Sequence, residues 1–560
     1  MKRKEPTARR GYCPRCNHNE TNEAFTFCTA DGTPLIWNNH LEGDTTLVVN
    51  FPPMGRYAET LSTSHASPAN TRWLDVIKWR RFGAALTIAL ALTLAGWTYS
   101  YLNEKDNAVI GSLAVLPFLN VDADQGLEYL SDGMTETLIS DLSELPNLNV
   151  KARSSVFRYK DMNISVRGVG ADLNVQAILN GRISRHDGVL MLSLELADVR
   201  TENVIWSKQY SCKPTELVSL QSQIAFDVSE KLRLKIAGAG HRKQASEYSP
   251  SAEAYASYLK GRYYWNKRTV NDLHKAIECF NQAVATDRNY ALAYAGLADT
   301  YVVLSLYRND PALEERLRAR EAAMKALSLN GDLAEAHTAL GFVNTQDYDF
   351  ASAEREYKRA VELNPNYATA HQWYGEMLSH LGRHDEATAQ LRLALSIDPL
   401  SLIINVMYGN ILFHARRYDE AIAQMKKTLE LDNNFAITHQ CLARIYQANG
   451  NYADAVAEFA RYQELNDEQK TATQVRESFK KGGWPGFLRA MTGEHRPANL
   501  SDYERVIFLA ALGEKDKAFA EPYKSYETIG LVLKVDPLFD PLRNDQRFSE
   551  VLTHVKFAPE

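Results

Sequence analysis

A repeating pattern of small and bulky positions runs through the second half of the chain. Four copies follow one another in register, and they begin at Ala334, Ala368, Leu402 and Ala436. The eighth and twentieth places of each copy are small; they hold Gly341, Gly375, Gly409 and Ala443, and then Ala353, Ala387, Ala421 and Ala455. Bulky residues follow at Tyr357, Leu391, Met425 and Phe459. The pattern predicts two antiparallel helices per copy, packed so closely that a larger side chain at the small places would clash.

Two further copies precede these four, with insertions between them. Their marker residues are Gly261, Ala276, Phe280 and Ala283, and then Tyr294, Leu297, Ala298, Tyr301, Ala319, Ala323 and Ala326. The copies resemble tetratricopeptide (TPR) repeats in their length and in the positions of these residues. This resemblance implies a superhelical α-solenoid. We expect about six repeats over residues 250–468. We expect a TPR-like helical cap over residues 469–560, because the last repeat of a solenoid has to cover its exposed face.

Residues 109–238 have a different pattern, in which strands and helices are mixed. Apolar residues alternate in the strand-like segment VIGSLAVLPFLNV, whereas residues 126–145 place their apolar residues on one helical face. Two long segments meet at His186–Asp187–Gly188, which predicts a β-hairpin. This mixture implies an α/β domain with helices on one face of a mixed sheet.

Four short sequence motifs in this segment resemble those of a known family. AVLPF at 114–118, EYLSDGMTETLISDLS at 128–143, ILNGRI at 178–183 and VIWSKQY at 204–210 resemble the TolB-like N-terminal domain. The resemblance covers the whole domain and implies a non-catalytic module between a membrane helix and a TPR array, as in bacterial sensors, cyclases and kinase-linked TPR proteins.

One helix of the same segment carries polar residues that could be mistaken for a catalytic set. They are Ser131, Asp132, Glu136 and Asp141. We interpret them as a solvated helix face and a helix start, because no His or Lys lies at a spacing that would pair with them as base or nucleophile.

Residues 82–102, FGAALTIALALTLAGWTYSYL, contain no charged residue. A helix needs about 20 apolar residues to cross a bilayer, and it satisfies its own backbone hydrogen bonds there. Basic residues precede the segment at Arg72, Lys78, Arg80 and Arg81. The positive-inside rule therefore predicts one transmembrane helix in the bacterial cytoplasmic membrane, with the N-terminus in the cytoplasm and the C-terminal domains outside it. The polar stretch at residues 43–80 is interpreted as a flexible linker.

Residues 1–42 resemble a small zinc ribbon. Cys13 and Cys16 form a CxxC pair, which lets two thiolates reach one tetrahedral ion. Cys28 begins a second pair, in which Asp31 takes the place of the expected cysteine. These four residues are the predicted ligands of a structural zinc ion, and a closed site of this kind is not catalytic.

The carboxylate in this set leaves alternatives open. His18 or His40 could supply the fourth ligand in its place. The segment could also be a degenerate ribbon that has lost its metal, whereas redox chemistry is disfavoured because no thioredoxin-like pattern surrounds the CxxC pair.

Composition excludes several classes of protein. The net charge is −6 over 560 residues, which argues against a nucleic-acid binder with a basic face. Six cysteines in a chain of this length do not form a disulfide scaffold. The sequence contains no HExxH, P-loop, nucleophile elbow or kinase set. We therefore expect a protein that is not an enzyme and that uses no cofactor besides the predicted zinc.

The inner face of the solenoid is the predicted binding site. Places 2, 5, 9 and 12 of each first helix share this face, since they are spaced by three and four residues. In the last three copies these places hold Thr369, Gln372, Glu376, Ser379, Ile403, Val406, Asn410, Phe413, Ile437, Gln440, Arg444 and Gln447. Among them the peptide-groove candidates are Gln372, Glu376, Asn410, Phe413, Gln440, Arg444 and Gln447. The amide-rich set suits an extended peptide or helix.

Two functions are compatible with these features. The first is a membrane-anchored scaffold that binds protein or peptide partners outside the cytoplasm through its TPR groove. The second is a one-component transmembrane signal transducer or regulator, with an extracytoplasmic sensor and the zinc ribbon as its cytoplasmic output.

Overall fold

The computed structural model describes most of the predicted α/β domain and solenoid. The described residues are 110–145, 147–160, 162, 164–233, 249–307, 313–521 and 529–555, with three short strands nearer the N-terminus. The chain divides into two compact units, Met1–Ala95 and Gly96–Glu560. The predicted linker at 43–80 and membrane helix at 82–102 lie outside the described residues. Among the residues that are described, no helix is both long and apolar enough to cross a membrane.

The first unit contains a three-stranded antiparallel sheet. Its central strand is β1 (Gly11–Tyr12), which pairs with β2 (Asn19–Glu20) and with β3 (Ile36–Trp37). The predicted zinc ligands between these strands lie outside the described residues.

The second unit begins with a mixed sheet of six strands. They are β4 (Ser112–Val115), β5 (Leu119–Asn120), β6 (Asn149–Val150), β7 (Ala177–His186), β8 (Val189–Asp198) and β9 (Val204–Cys212). The order is β6-β4-β7-β8-β9, and β5 pairs with β7 as well. The β4 strand is parallel to both of its neighbours, whereas β7, β8 and β9 are antiparallel. The predicted hairpin is confirmed: Asp187 (φ 48°) and Gly188 (φ 78°) form a two-residue turn that requires positive φ at both places.

Four helices accompany this sheet. They are α1 (Gln125–Ser143), α2 (Arg153–Val156), α3 (Val166–Leu173) and α4 (Leu217–Arg233). The Asp124 side chain caps the start of α1 by accepting from the Gly126 amide. The predicted apolar face of α1 is confirmed, since it is buried at Leu127, Leu130, Met134, Leu138, Ile139 and Leu142.

The interpretation of a solvated polar face on α1 is wrong. Ser131 and Asp132 are buried, and the Glu136 side chain is only 12% exposed. Lys160 donates to Asp132 Oδ1 at 2.6 Å, and Arg262 from the solenoid binds Glu136. Helical periodicity cannot predict these contacts, because the partners lie far away in the sequence.

Six helix pairs form the solenoid. They are α5 (Ala252–Asn266) with α6 (Val270–Thr286), α7 (Ala291–Ser305) with α8 (Leu313–Leu329), α9 (Ala334–Gln346) with α10 (Phe350–Leu363), α11 (Ala368–His380) with α12 (His384–Ile397), α13 (Leu402–His414) with α14 (Tyr418–Leu431), and α15 (Ala436–Ala448) with α16 (Tyr452–Leu465). The four predicted repeat starts are confirmed as the first residues of α9, α11, α13 and α15.

The small residues of the repeats are in the close contacts that the pattern predicts. A Cβ atom placed on Gly341 would lie 2.7 Å from the Tyr357 ring, and one on Gly409 would lie 2.6 Å from Met425. Tyr357 is itself completely buried. The two helices of these repeats therefore approach so closely that the eighth place has no room for a larger side chain.

A C-terminal cap follows the last repeat. It contains α17 (Gln469–Thr492), which is kinked at Gly482 and Gly483, α18 (Asp502–Leu512), α19 (Lys515–Phe519), α20 (Asp540–Arg543) and α21 (Gln546–His554). Ser501 and Glu504 form a reciprocal capping box that fixes the start of α18.

The α/β domain is attached to the solenoid at two places. On the first repeat, Arg262 Nε donates to Glu136 Oε1 at 2.8 Å and Asn266 Nδ2 donates to Glu136 Oε2 at 2.6 Å. Arg262 also lies 3.4 Å from Asp299 of α7, whose pKa is raised to about 7 by burial. This network is buried, so its charges depend on one another for compensation.

The second attachment is to the turns that connect successive repeats. Ser155 Oγ donates to Asp398 Oδ1 at 2.6 Å, and Asn366 Nδ2 donates to the Leu148 carbonyl at 2.8 Å. The α/β domain thus contacts the first repeat and two later inter-repeat turns, which fixes its orientation on the solenoid.

We predict that Gly341→Ala lowers the free energy of unfolding by about 1–3 kcal/mol, because the new methyl group would press on the rigid, buried Tyr357 ring. Gly482→Ala is the matched control, since nothing lies within 4 Å of its Cβ position. Denaturant unfolding followed by circular dichroism measures both. Equal midpoints for the two variants would contradict the close contact.

Candidate peptide-binding cavity

The first helices of successive repeats lie side by side, and their shared inner face forms one wall of a cavity. The cavity has a volume of about 1220 Å³. Its other walls come from the ends of α7 and α9, from residues 498–503 and from the C-terminal cap. The predicted inner face is therefore not an open groove but one side of a partly enclosed space.

Four of the seven predicted groove residues line this cavity. They are Glu376, Asn410, Phe413 and Arg444. Gln372 contacts one of these lining residues, since its Nε2 donates to Glu376 Oε1 at 2.8 Å. Gln440 and Gln447 lie instead in a narrow gap between α15 and α18, which Arg444 also borders. The structure thus brings the predicted residues to one face but divides them between two spaces.

The side chains at the four places of the inner face also differ in how deeply they are buried. Gln372 and Val406 at place 5 are buried, as are Ser379 and Phe413 at place 12. The side chains at place 9 keep access to the cavity, whereas Ile403 at place 2 is 38% exposed. Place 9 is therefore the main point at which a ligand would meet these helices.

Place 13 is not among the predicted groove places, but it also contributes to the cavity. It holds His380 in α11 and His414 in α13. Each lies four residues after a place 9 residue, so helical spacing could have identified both. Ser379 Oγ lies 3.2 Å from His414 Nδ1, while His380 Nδ1 has no hydrogen-bond partner within the described part of the chain.

The C-terminal cap occupies one end of the predicted groove. Gln440 Nε2 donates to Glu504 Oε1 at 3.3 Å, and the Arg444 guanidinium lies 4.1 Å from the centre of the Tyr503 ring. Tyr503 in turn donates to Asp536 Oδ2 at 2.6 Å. The last repeat therefore uses its inner face to hold the chain's own cap.

An ion pair fixes the cap to a preceding repeat as well. Arg416 binds both carboxylate oxygens of Asp540, at 2.6 and 2.9 Å. Bidentate pairing of this kind fixes orientation as well as distance. The cap wall of the cavity is thereby tied to the turn between α13 and α14.

The enclosed walls change the protonation of the groups that face the cavity. Burial raises the pKa of Glu376 to about 7. It lowers the pKa of His380 to about 4, and burial together with the neighbouring His380, His384 and Arg444 lowers the pKa of His414 to about 3. Both imidazoles are therefore neutral at pH 7, where each offers one donor and one acceptor. Such groups suit the recognition of amides.

The Ser379–His414 contact does not have the properties of a catalytic pair. A general base is most effective when its pKa lies near the working pH, and that of His414 is far below it. Ser379 is its hydrogen-bond partner among the described residues, and no carboxylate orients the ring there. The contact favours a binding role over nucleophilic chemistry.

The predicted metal ligands cannot be compared with this geometry. Cys13, Cys16, Cys28 and Asp31 lie outside the described residues, as do the alternatives His18 and His40. Zinc binding at the N-terminal segment stays a prediction.

We predict that Glu376→Gln stabilises the protein increasingly as the pH rises from about 4.5 to about 7. Because the pKa of Glu376 is raised from 4.5 to about 7 on folding, its contribution is fully present below pH 4.5 and is lost as the pH rises through 7. The neutral amide avoids this loss, so the difference in unfolding free energy between variant and wild type should grow by about 2 kcal/mol.

Denaturant unfolding at several pH values measures this difference, and the histidines cancel because both proteins contain them. Glu362→Gln serves as a control, since that side chain is 66% exposed. A difference for Glu376→Gln that does not change with pH would show that the carboxyl group titrates normally.

A match to a protein-family model supports the repeat assignment. A family model described as tetratricopeptide repeat matches residues 348–401, which span α10, α11 and α12. The type IV pilus biogenesis factor PilW has a solved structure that is 20% identical and covers 39% of this chain and 98% of its own, with a TM-score of 0.33.

Two named relatives are similar over parts of their length. A Rhizobium meliloti protein provisionally named adenylate cyclase 3 is 27% identical over 230 residues, which is 41% of this chain and 39% of that protein. The transcriptional regulator HilA of Salmonella typhimurium is 27% identical over 118 residues, or 21% of each chain. The chain therefore spans well under half the length of these relatives. Its helical, TPR-like solenoid follows a small mixed α/β region, and parts of the chain are distantly similar to proteins named as an adenylate cyclase and as a transcriptional regulator.

Proposed function

We propose that this chain is a non-enzymatic scaffold that binds a partner polypeptide in the cavity between its repeat helices and its cap. TPR repeats are protein-interaction modules, and the inner face of their first helices forms a wall of this cavity. The observation that carries the proposal is the size of the space, about 1220 Å³. Clefts for small ligands are usually about 300–1000 Å³, so this one suits a peptide segment better than a small metabolite.

The chemistry of the walls supports a peptide ligand. Asn410, Ser379 and the two neutral imidazoles offer both donors and acceptors, which is what a peptide backbone requires. Phe342, Met407 and Phe413 supply apolar contacts on the same wall. Arg444 is the cation on this face of α11, α13 and α15, and its guanidinium already lies over Tyr503. A partner recognised through backbone amides and apolar side chains is therefore favoured over a terminal carboxylate.

The placement of the scaffold is also part of the proposal. The apolar segment at 82–102 would anchor the chain in the cytoplasmic membrane, with the solenoid outside and the zinc-ribbon-like segment inside. Zinc at the ribbon would be structural. The site in the cavity needs neither the metal nor the membrane for its chemistry.

A one-component signal transducer is the second candidate. The relatives named for an adenylate cyclase and for a transcriptional regulator favour it, although each is matched over a minor part of its length. The attachment of the α/β domain to three separate turns and helices of the solenoid also favours it, because a rigid junction could pass on a change of orientation. In that version the ribbon would contact a cytoplasmic regulator.

We predict that a photocrosslinking amino acid at Asn410 forms a specific polypeptide adduct in intact cells, because this side chain faces the cavity. The same amino acid at Lys426 is the control, since that residue is exposed on α14, the second helix of the same repeat. Glu376→Lys should reduce the Asn410 adduct about tenfold or more, by placing a charge in the enclosed space. An adduct from Lys426 alone, or none from either position, would refute binding in the cavity.

We predict that a C-terminal reporter which is active only outside the cytoplasm is active in the full chain. The basic flank before residue 82 retains the N-terminus inside, so the C-terminus follows the helix across the membrane. A reporter that is active only inside provides the reciprocal measurement. Activity of the second reporter and not the first would reverse the proposed orientation and exclude an extracytoplasmic scaffold.

A further inference from the structure

A second space lies where the α/β domain meets the first repeat, apart from the cavity described above. This cleft has a volume of about 970 Å³. One wall comes from Phe118–Tyr129 and Lys160 of the α/β domain, and the other from α5 and α6. Its size is that of a small-ligand site. The α/β domain and the first repeat thus enclose this space together.

The walls of the cleft are rich in lysine and tyrosine. Four ammonium groups line it, from Lys160, Lys260, Lys267 and Lys275, against the two carboxylates of Glu128 and Glu278. Three phenol rings line it as well, from Tyr129, Tyr263 and Tyr264. Lys160 and Lys275 are held in ion pairs, which leaves two ammonium groups against the Glu278 carboxylate, a balance that favours an anion. The rings offer flat faces on which a planar group can stack.

The four ammonium groups are not equivalent. Lys160 is bound to Glu128 and Asp132, and Lys275 lies 3.2 Å from Asp272. Lys260 and Lys267 instead contact aromatic rings, and within the described ranges neither makes an ion pair. Lys260 Nζ lies 5.0 Å from the centre of the Tyr129 ring, and Lys267 Nζ lies 4.5 Å from that of Tyr263. Two cations therefore keep their donors available at the cleft.

Helix geometry places these two cations together. Lys260 is on α5, and Lys267 is the residue that caps its C-terminus and keeps helical backbone angles, so the two lie seven residues or two turns apart on the same face. Tyr264 stands between them at four residues after Lys260. One face of α5 and its C-cap thus presents an ammonium group, an aromatic ring and a second ammonium group in succession.

Other chemistry in the cleft is disfavoured. Burial raises the pKa of the Cys279 thiol, so this side chain is not the thiolate that metal binding or redox exchange requires. Burial also raises the pKa of Tyr129, which keeps its phenol neutral and able to donate a hydrogen bond. These groups add donors and a polar thiol to the walls, not a reactive centre.

We propose that the cleft binds a small phosphate ester that carries a flat ring, the chemistry of a nucleoside monophosphate. The phosphate is held by Lys260 and Lys267, and the ring stacks on the tyrosines of α5. The ligand touches both the α/β domain and the solenoid. This site is independent of the polypeptide cavity, whose existence it neither requires nor tests.

Calorimetric titration of the full chain in detergent with adenosine monophosphate tests the proposal. Lys260→Ala and Lys267→Ala should each raise Kd about tenfold, and the double variant about a hundredfold, since each removes one charge-assisted contact. Both side chains are exposed, so the variants should fold as the wild type does. Lys325→Ala is the matched control: it removes a lysine that lies 6.0 Å from the Tyr294 ring outside the cleft, and it should leave Kd unchanged.

Two further probes define the ligand class. Inorganic phosphate should bind at least about tenfold more weakly than the nucleotide, because it has no ring to stack. A short-chain phosphatidylglycerol should not displace the nucleotide. Overturning results are an absence of nucleotide binding up to about 10 mM, equal Kd values in wild type and the double variant, phosphate binding as tight as nucleotide binding, or displacement by the lipid at lower concentration.

Discussion

Close contact between a small residue in the first helix of each repeat and a bulky residue in the second is the interaction on which the solenoid depends. At Gly341 the Tyr357 ring fills the space that a Cβ would need, and at Gly409 Met425 does the same. These contacts set the distance between the paired helices, and their repetition gives every repeat the same geometry. Without that regularity the first helices would not share one inner face, and the cavity would have no continuous wall.

The parts of the fold that the sequence predicts best are those held by contacts between near neighbours. The helix starts at Ala334, Ala368, Leu402 and Ala436 follow from the repeat period, because the two helices of each repeat contact each other through residues that lie within about 20 positions in the sequence. The polar side of α1 is different, because Glu136 finds its partner Arg262 at a separation of 126 residues. Periodicity describes which side chains a helix presents on each face, but not which distant element covers that face.

The candidate site shows the same difference between contacts that are near in the sequence, which can be predicted, and contacts that are distant, which cannot. Helical spacing correctly groups Glu376, Asn410 and Arg444 on one face, and the same spacing places His380 and His414 beside them. It could not show that Gln440 faces Glu504, 64 residues later, because that contact depends on how the cap returns across the last repeat. The protonation of Glu376 is equally non-local, since it arises from walls that several helices and the cap build together.

The helix α5 connects the two halves of the second unit. Arg262 and Asn266 bind Glu136 of the α/β domain, while Lys260 and Lys267 face the basic cleft. A buried ion pair adds little net stability, but separating it leaves an uncompensated charge, which costs about 3–5 kcal/mol. Gradual sliding of the α/β domain over the solenoid is therefore unfavourable, because it would separate Glu136 from Arg262, whereas Arg262 and Asp299 both belong to the solenoid and would stay together. Any signal between the domains would have to move α5 together with Glu136, so that the α/β domain and the first repeat reorient as one body.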